Sequence, residues 1–369
     1  LLSGATFKDF AGGILEFLLD TARHYGPLAT IRFGPKRIFL ASSPDLVEQV
    51  LVRDAAHYIK HFGARAVKPV LGEGLVTSEG AYWRRQRKLV QPAFTKSRVR
   101  SYAPIMEALT EDMLQSWSSG QRINVEFEFG ALTSKIALKA LFDLDSAGDR
   151  ERFTEKLHLV FDITTARLRR VFKAPLWLPT PETLRLKRGI RELDQVVHGF
   201  IEAGRKRESG SGDLLSRLVH LEPEDGARIT DKQLRDEAMT LYLASHETTA
   251  LTLAWTWYLL SQNPDAEECV VDEWRRVLGG RIPSVDDVAS LPYTAAVILE
   301  SMRLRPAVFV IGREVTKDLE LGGYRIKRGN IVFMSQWANH RDPMYFPDPE
   351  SFKPERWENG LQRKLPKFA

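Results

Sequence analysis

The chain has 369 residues, 43% hydrophobic and 27% charged, a globular balance that excludes a disordered protein and allows a core large enough to enclose a cofactor. A single cysteine, Cys269, excludes an internal disulfide framework and a Cys-rich metal site, and fits a reducing cytoplasm. With 53 Lys+Arg mixed among 48 Asp+Glu, the net charge of +5 suggests a local basic face for an acidic partner rather than a nucleic-acid protein.

Residues 27–41, "PLATIRFGPKRIFLA", read as two short β runs around a Gly34-Pro35-Lys36-Arg37 turn. Ser43-Pro44 then opens a helix, with Ser as cap and Pro in the first turn. From about 81 to 208 the patterns are mostly helical. They are broken by "DLDSAGD" (143–149), by the Pro-rich "KAPLWLPTPE" (173–182) and by the connector "ESGSGD" (208–213).

Thr230-Asp-Lys-Gln233 reads as a capping box that opens the longest helix, about 231–262. At 1.5 Å per residue that rod spans roughly 48 Å, enough to cross the middle of a domain. Its most apolar run, "ALTLAWTWYLL" (250–260), is far short of the roughly 20 residues a membrane span needs. The chain opens on Leu1-Leu2 without an initiator Met, which leaves room for an upstream anchor. Further helices run from Pro264 to a Gly279-Gly280 stop and over about 292–304. After Pro306 the character turns to β, in "VFVIGREV", "LELGGYRI" with a Gly-Gly hairpin turn, and "NIVFMSQW". A Pro-punctuated meander ends the chain. The expected class is mainly α with a small β portion: one domain over 1–369, β-rich at about 27–41 and 307–337, helical at about 81–304.

Four short motifs carry chemistry, and each has a plain alternative. Glu300 and Arg303 in "LESMRLRP" share a helix face, which for a solvated pair is worth only a few tenths of a kcal/mol. Arg356 in "FKPERW" (352–357) sits in a turn, yet its guanidinium fork can complete a shared-carboxylate cluster with that pair. Trp83 and Arg87 in "WRRQRKLVQPAF" fall on one face of a basic helix and can together hold a carboxylate. In "LYLASHETTALTL" (241–253), Ser245 to Thr249 interrupt an apolar rod. Helical Ser/Thr often bond the i−4 carbonyl and do nothing more, whereas a buried polar notch needs partners and suggests a ligand or a proton path. The residues alone leave both open. Cys269 lies amid acids on an amphipathic helix and reads as an inert surface residue. The His residues have no ligand spacing, so no protein-only metal site is expected.

The order Trp83-x-x-x-Arg87, Ala244-Ser-His-Glu-Thr-Thr249, Glu300-x-x-Arg303, Phe352-x-Pro-Glu-Arg-Trp357 resembles the haem-thiolate monooxygenases, the cytochrome P-450 family. The similarity runs essentially from end to end, including the early hairpin and "ANHRDP" (338–343). It implies haem b as cofactor, dioxygen as co-substrate, and a central helix passing over the haem face. Thr248 would then stand beside dioxygen with Glu247 relaying protons. Trp83 and Arg87 would anchor one propionate and Arg313 a second. Ala244 and Ser245 would lie against the ring, and Glu300, Arg303 and Arg356 would form a structural cluster. Ser245 departs from the Gly usual in the family and would narrow the oxygen groove.

The family's iron ligand is a Cys in a Gly-rich loop shortly after the PERW-type segment. This chain reaches Ala369 before any such Cys, and Cys269 precedes the E-x-x-R helix, so the resemblance places the metal ligand beyond Ala369. Two readings follow from it. One is a monooxygenase inserting one oxygen atom into an apolar small molecule, with electrons from NAD(P)H through a ferredoxin, flavodoxin or reductase. The other is a truncated, non-catalytic fragment that at most binds an apolar ligand. Phe62, Leu75, Phe161, Phe172 and Trp177 are the expected apolar pocket residues.

Overall fold

The computed structural model describes residues 4–6, 13–33, 36–144, 146–169, 175–207, 213–221, 228–358 and 360–369. The chain gathers into two compact units, Leu1–His61 with Leu251–Ala369, and Phe62–Ala250.

All described strands belong to the first unit. They are β1 (Gly4–Thr6), β2 (Leu28–Phe33), β3 (Lys36–Ala41), β4 (Tyr58–Lys60), β5 (Ile311–Val315), β6 (Leu319–Leu321), β7 (Tyr324–Ile326) and β8 (Ile331–Met334). Six form one sheet in the order β1-β2-β3-β8-β5-β4, and β6-β7 form a separate hairpin. In the sheet, β1/β2 and β3/β8 are parallel and the other pairs antiparallel. Alternation along the strands feeds two cores. Leu28, Phe39, Ala41, Val332 and Met334 belong to one cluster, while Ala29, Ile31, Ile38, Leu40 and Ile331 join Phe17 and Leu18 in another.

The β6-β7 hairpin turns on Gly322 and Gly323, both at positive φ (55° and 79°), as a two-residue turn of matching twist demands. In the β2-β3 hairpin Phe33 pairs with Lys36 and Arg32 with Arg37, so Lys36 and Arg37 belong to the strand rather than the turn. Gly34 and Pro35 lie outside the described residues.

The second unit is helical. Its core joins Phe142, Phe153, Leu157, Leu193, Phe200, Ile201 and Tyr242. Helices Val125–Phe142, Ala147–Arg169 and Pro181–Lys206 supply these side chains together with the first part of the 31-residue helix Asp231–Ser261. The Phe153 and Tyr242 rings meet edge to face at 4.8 Å. The long helix opens on a reciprocal capping box: Thr230 N–H donates to Gln233 Oε1 (2.8 Å) and Gln233 N–H to Thr230 Oγ1 (3.3 Å). Among the described residues no helix is long and apolar enough to cross a membrane.

Several local expectations shift. Ser43 occupies the cap position of Pro44–Glu48 without a side-chain capping bond. Gln336–Asn339 is a short helix rather than strand, because Ser335 caps it by accepting from Ala338 N–H (3.2 Å). The β portion also includes the three-residue strands β1 and β4, too short to register as an alternating pattern. The connector residues 208–212, Asp145 and the segment 170–174 with Phe172 lie outside the described residues.

Candidate functional site

Asp231–Ser261 changes character along its length. Leu234 to Thr240 and Tyr242 are buried on all sides, including Arg235, Asp236 and Glu237. Beyond them the rod opens: Ala244, Ser245, Glu247 and Thr249 are exposed, and His246 and Thr248 are half-buried. At 3.6 residues per turn, Leu241, Ala244 and Thr248 fall on one face with Ser245 at its edge, while Leu243 and His246 point roughly the opposite way and Glu247 lies about 100° round from Thr248. The structure thus groups Ala244, Ser245 and Thr248 but turns Glu247 elsewhere. The hydroxyls of Ser245, Thr248 and Thr249 donate to the carbonyls of Tyr242 (3.0 Å), Ala244 (2.8 Å) and Ser245 (2.9 Å). These back-bonds use the hydroxyl protons and leave each oxygen able to accept.

Glu247 and His246 line a cleft of about 500 Å³ with His158, Asp162 and Thr165 from helix Ala147–Arg169, beside the apolar Leu157, Phe161 and Leu243. The His246 ring stacks on Tyr242 at 4.7 Å, and the Tyr242 hydroxyl is bonded to Ser134 Oγ at 2.7 Å. Burial, reinforced by His158, holds the His246 ring below its ordinary pKa, favouring neutral imidazole. Sequence reading did not single out His158 and Asp162, because their link to His246 and Glu247 is purely tertiary.

Trp83 and Arg87 lie on helix Gly80–Val90, with the exposed guanidinium 5.5 Å from the half-buried indole ring. Arg313 belongs to the other compact unit, on β5 opposite Lys60 and Val332, and its Nη1 donates to Gly312 O at 3.0 Å. Of the expected pocket residues, Phe161 lines the cleft and Trp177 is 77% exposed.

Glu300, Arg303 and Arg356 come together. The fully buried Glu300 carboxylate accepts from Arg303 Nε (2.9 Å) and Nη2 (2.8 Å), Arg356 Nε (3.0 Å), Trp357 Nε1 (2.9 Å) and Lys353 N–H (3.0 Å). Arg303 also donates to the carbonyls of His340, Pro349 and Ser351, so one guanidinium ties a helix to the meander. Burial pushes the Glu300 carboxyl up, but Arg303, Lys353 N–H and Arg356 together hold it below the usual range.

His340 adds a pH signature. Burial lowers its pKa from 6.5 to about 4, with Arg303 and Arg341 nearby adding to the effect against the Arg303 carbonyl. Between those two values the unfolded chain binds a proton that the folded chain refuses, so stability is full above about 6.5 and falls as pH drops. A urea series should show about 2 kcal/mol lost between neutral pH and about pH 5 through this group, at roughly 1.4 kcal/mol per pKa unit. His340→Gln should remove that increment. An unchanged acid loss in the variant would show that His340 is not its source.

The family model "Cytochrome P450" matches residues 5–369. The cyclooctatin synthase of Streptomyces melanosporofaciens is 37% identical over 348 residues, covering 93% of this chain and 75% of that protein. The cyclooctat-9-en-7-ol 5-monooxygenase of the same organism is 36% identical over 361 residues, covering 96% and 77%. In fold, the retinoic acid-bound cyanobacterial CYP120A1 superposes with a TM-score of 0.82 at 22% identity, over 98% of this chain and 80% of that one. A match over nearly every residue, with relatives of this identity and coverage, makes the chain a member of the cytochrome P-450 family of oxidoreductases, which carry haem iron and use dioxygen.

Proposed function

We propose that the chain acts as a haem-dependent monooxygenase on an apolar small molecule. The observation that supports this best is the opening of Asp231–Ser261, from a rod buried on all sides to a face of small residues at Ala244, Ser245 and Thr248. A flat ring system can approach such a face closely, and the residues present fit haem. Trp83 and Arg87 offer an indole and a guanidinium 5.5 Å apart, groups suited to one propionate. Bound there, haem supplies the oxidising chemistry that side chains lack.

The chain's own groups would manage position and protons. Thr248 would keep a hydroxyl on the open face, where it now donates to Ala244 O. Glu247, the preceding residue, reaches the cleft shared with His158 and Asp162 and would return protons from solvent to that hydroxyl. Inserting one oxygen atom and releasing the other as water consumes two electrons and two protons. The electrons would come from NAD(P)H through a ferredoxin, flavodoxin or reductase. Exposed Arg84, Lys88, Lys96 and Arg98 form a basic edge whose attraction for an acidic partner would weaken with salt. Cyclooctat-9-en-7-ol, named for the second relative, is an unsaturated alcohol, which favours an unsaturated, largely hydrocarbon skeleton here.

Thr248→Ala in the haem-loaded protein tests the assignment. Positioned proton delivery is worth on the order of 10²–10⁴-fold, so most reduced oxygen should leave as peroxide and product per NAD(P)H should drop steeply. Unchanged coupling would refute the role given to Thr248.

A further inference from the structure

Two adjacent acids, Asp236 and Glu237, are each 2% exposed in the second unit, and nothing in the proposed chemistry uses them. Both are spent on one short loop. Asp236 Oδ2 accepts the Glu73 N–H at 2.8 Å, and Glu237 Oε2 accepts the Leu75 N–H at 3.2 Å. Asp236 is itself fixed by Lys232 Nζ (2.9 Å) and Arg235 Nη1 (3.1 Å), and Arg235 Nε reaches Asp194 (2.7 Å). The loop also closes on itself: Thr77 Oγ1 donates to Gly72 O at 2.6 Å, and Ser78 N–H to Gly74 O at 2.9 Å. Gly72 and Gly74 lie so close to the rod that a Cβ on either would collide with Asp236 or Thr240.

Helix geometry gives this clamp its direction. Glu237, Leu241, Ala244 and Thr248 are spaced four, three and four residues apart, which keeps them on one face. The Glu237 end of the clamp therefore lies on the side of the rod that opens at Ala244 and Thr248, with Asp236 and Thr240 flanking it, about three turns (~16 Å) before Thr248. Its other end runs directly into Gly80–Val90, where Trp83 N–H donates to Glu79 O. One pinned loop thus links the helix bearing Trp83 and Arg87 to the helix bearing Thr248.

We propose that Asp236 and Glu237 are positioning residues that lock residues 72–78 onto the long helix and so fix the Trp83–Arg87 helix in register with the Ala244–Thr248 face. The functional meaning rests on the haem reading above; the clamp itself does not. Buried charge at Asp236 is kept because the Glu73 N–H and two cations surround it, and both acids hold a loop in one place.

The test compares Glu237→Ala with Glu237→Gln, whose amide oxygen can still accept the Leu75 N–H. Two quantities are read: amide hydrogen exchange at Glu73 and Leu75, and the rate of haem release from the loaded protein. Losing a hydrogen bond to a buried charged group is worth about tenfold or more, so Leu75 exchange should rise by that factor in the Ala variant. Haem release should rise several-fold alongside it, and Gln should restore both. Unchanged Leu75 exchange would overturn the clamp. Faster exchange without faster haem release, in a protein where Arg87→Ala does speed release, would overturn the positioning role. If Arg87→Ala leaves haem release unchanged, the haem-anchor reading fails, and the exchange measurement still decides the clamp. Should Glu237→Ala not fold, Glu237→Asp gives the same two readouts in the same direction, because it keeps the charge but draws the carboxylate back by one methylene from the Leu75 N–H.

Discussion

Arg303→Ala should lose about 3–5 kcal/mol of folding stability, the range for removing one partner of a buried ion pair. The variant would leave Glu300, at 0% exposure, with only Arg356, Trp357 and Lys353 N–H, and would strip donors from the carbonyls of His340, Pro349 and Ser351. Against a total of about 5–15 kcal/mol for a typical domain, that loss leaves a marginal protein. Arg303→Lys should rescue little, because a single ammonium cannot pair bidentately with Glu300 and also reach three carbonyls. Denaturant unfolding followed by circular dichroism measures this, with a shifted midpoint at constant slope as the sign of a pure stability change. A loss below about 1 kcal/mol would place the pair with ordinary surface bridges and refute the cluster's role.

That cluster also shows what a sequence can and cannot disclose. Spacing puts Glu300 and Arg303 on one face, and the guanidinium fork makes Arg356 an obvious candidate for the same carboxylate. Nothing local says that Trp357 Nε1 and Lys353 N–H complete the shell, or that Arg303 reaches back to His340, since those contacts depend on the path of the meander. The long rod was legible for the opposite reason. Its capping box, apolar periodicity and terminal Asn263-Pro264 are local signals that the tertiary fold does not override.

The hydrophilic break from Ser245 to Thr249 was legible as an anomaly but not as a geometry. Only helical phase separates Thr248, on the open face, from Glu247, in the His158 cleft. The clamp was missed although a signal existed. "RDEAM" sets three ionisable side chains side by side in an apolar helix, a pattern that requires buried partners. The partners are the backbone N–H groups of a glycine-bearing loop more than 150 residues earlier, which no side-chain motif advertises.

The same loop supplies the second large effect. Gly74→Ala should destabilise the protein by about 3 kcal/mol, the upper end for forcing a methyl group into a packed site. A Cβ there would stand 2.5 Å from the Asp236 backbone oxygen and closer still to the Thr240 hydroxyl. The hydroxyl could be removed, but the backbone oxygen belongs to a buried helical turn and cannot rotate away. Thr240→Ala added to Gly74→Ala should therefore recover only part of the loss. Because relief then requires the loop to back off the rod, the variant should also lengthen the Leu75-to-Glu237 hydrogen bond and speed Leu75 exchange. Thermal unfolding of the two variants together with that amide's exchange rate decides the matter. A Gly74→Ala protein within about 0.5 kcal/mol of the parent would mean that loop and helix do not meet as closely as this geometry requires.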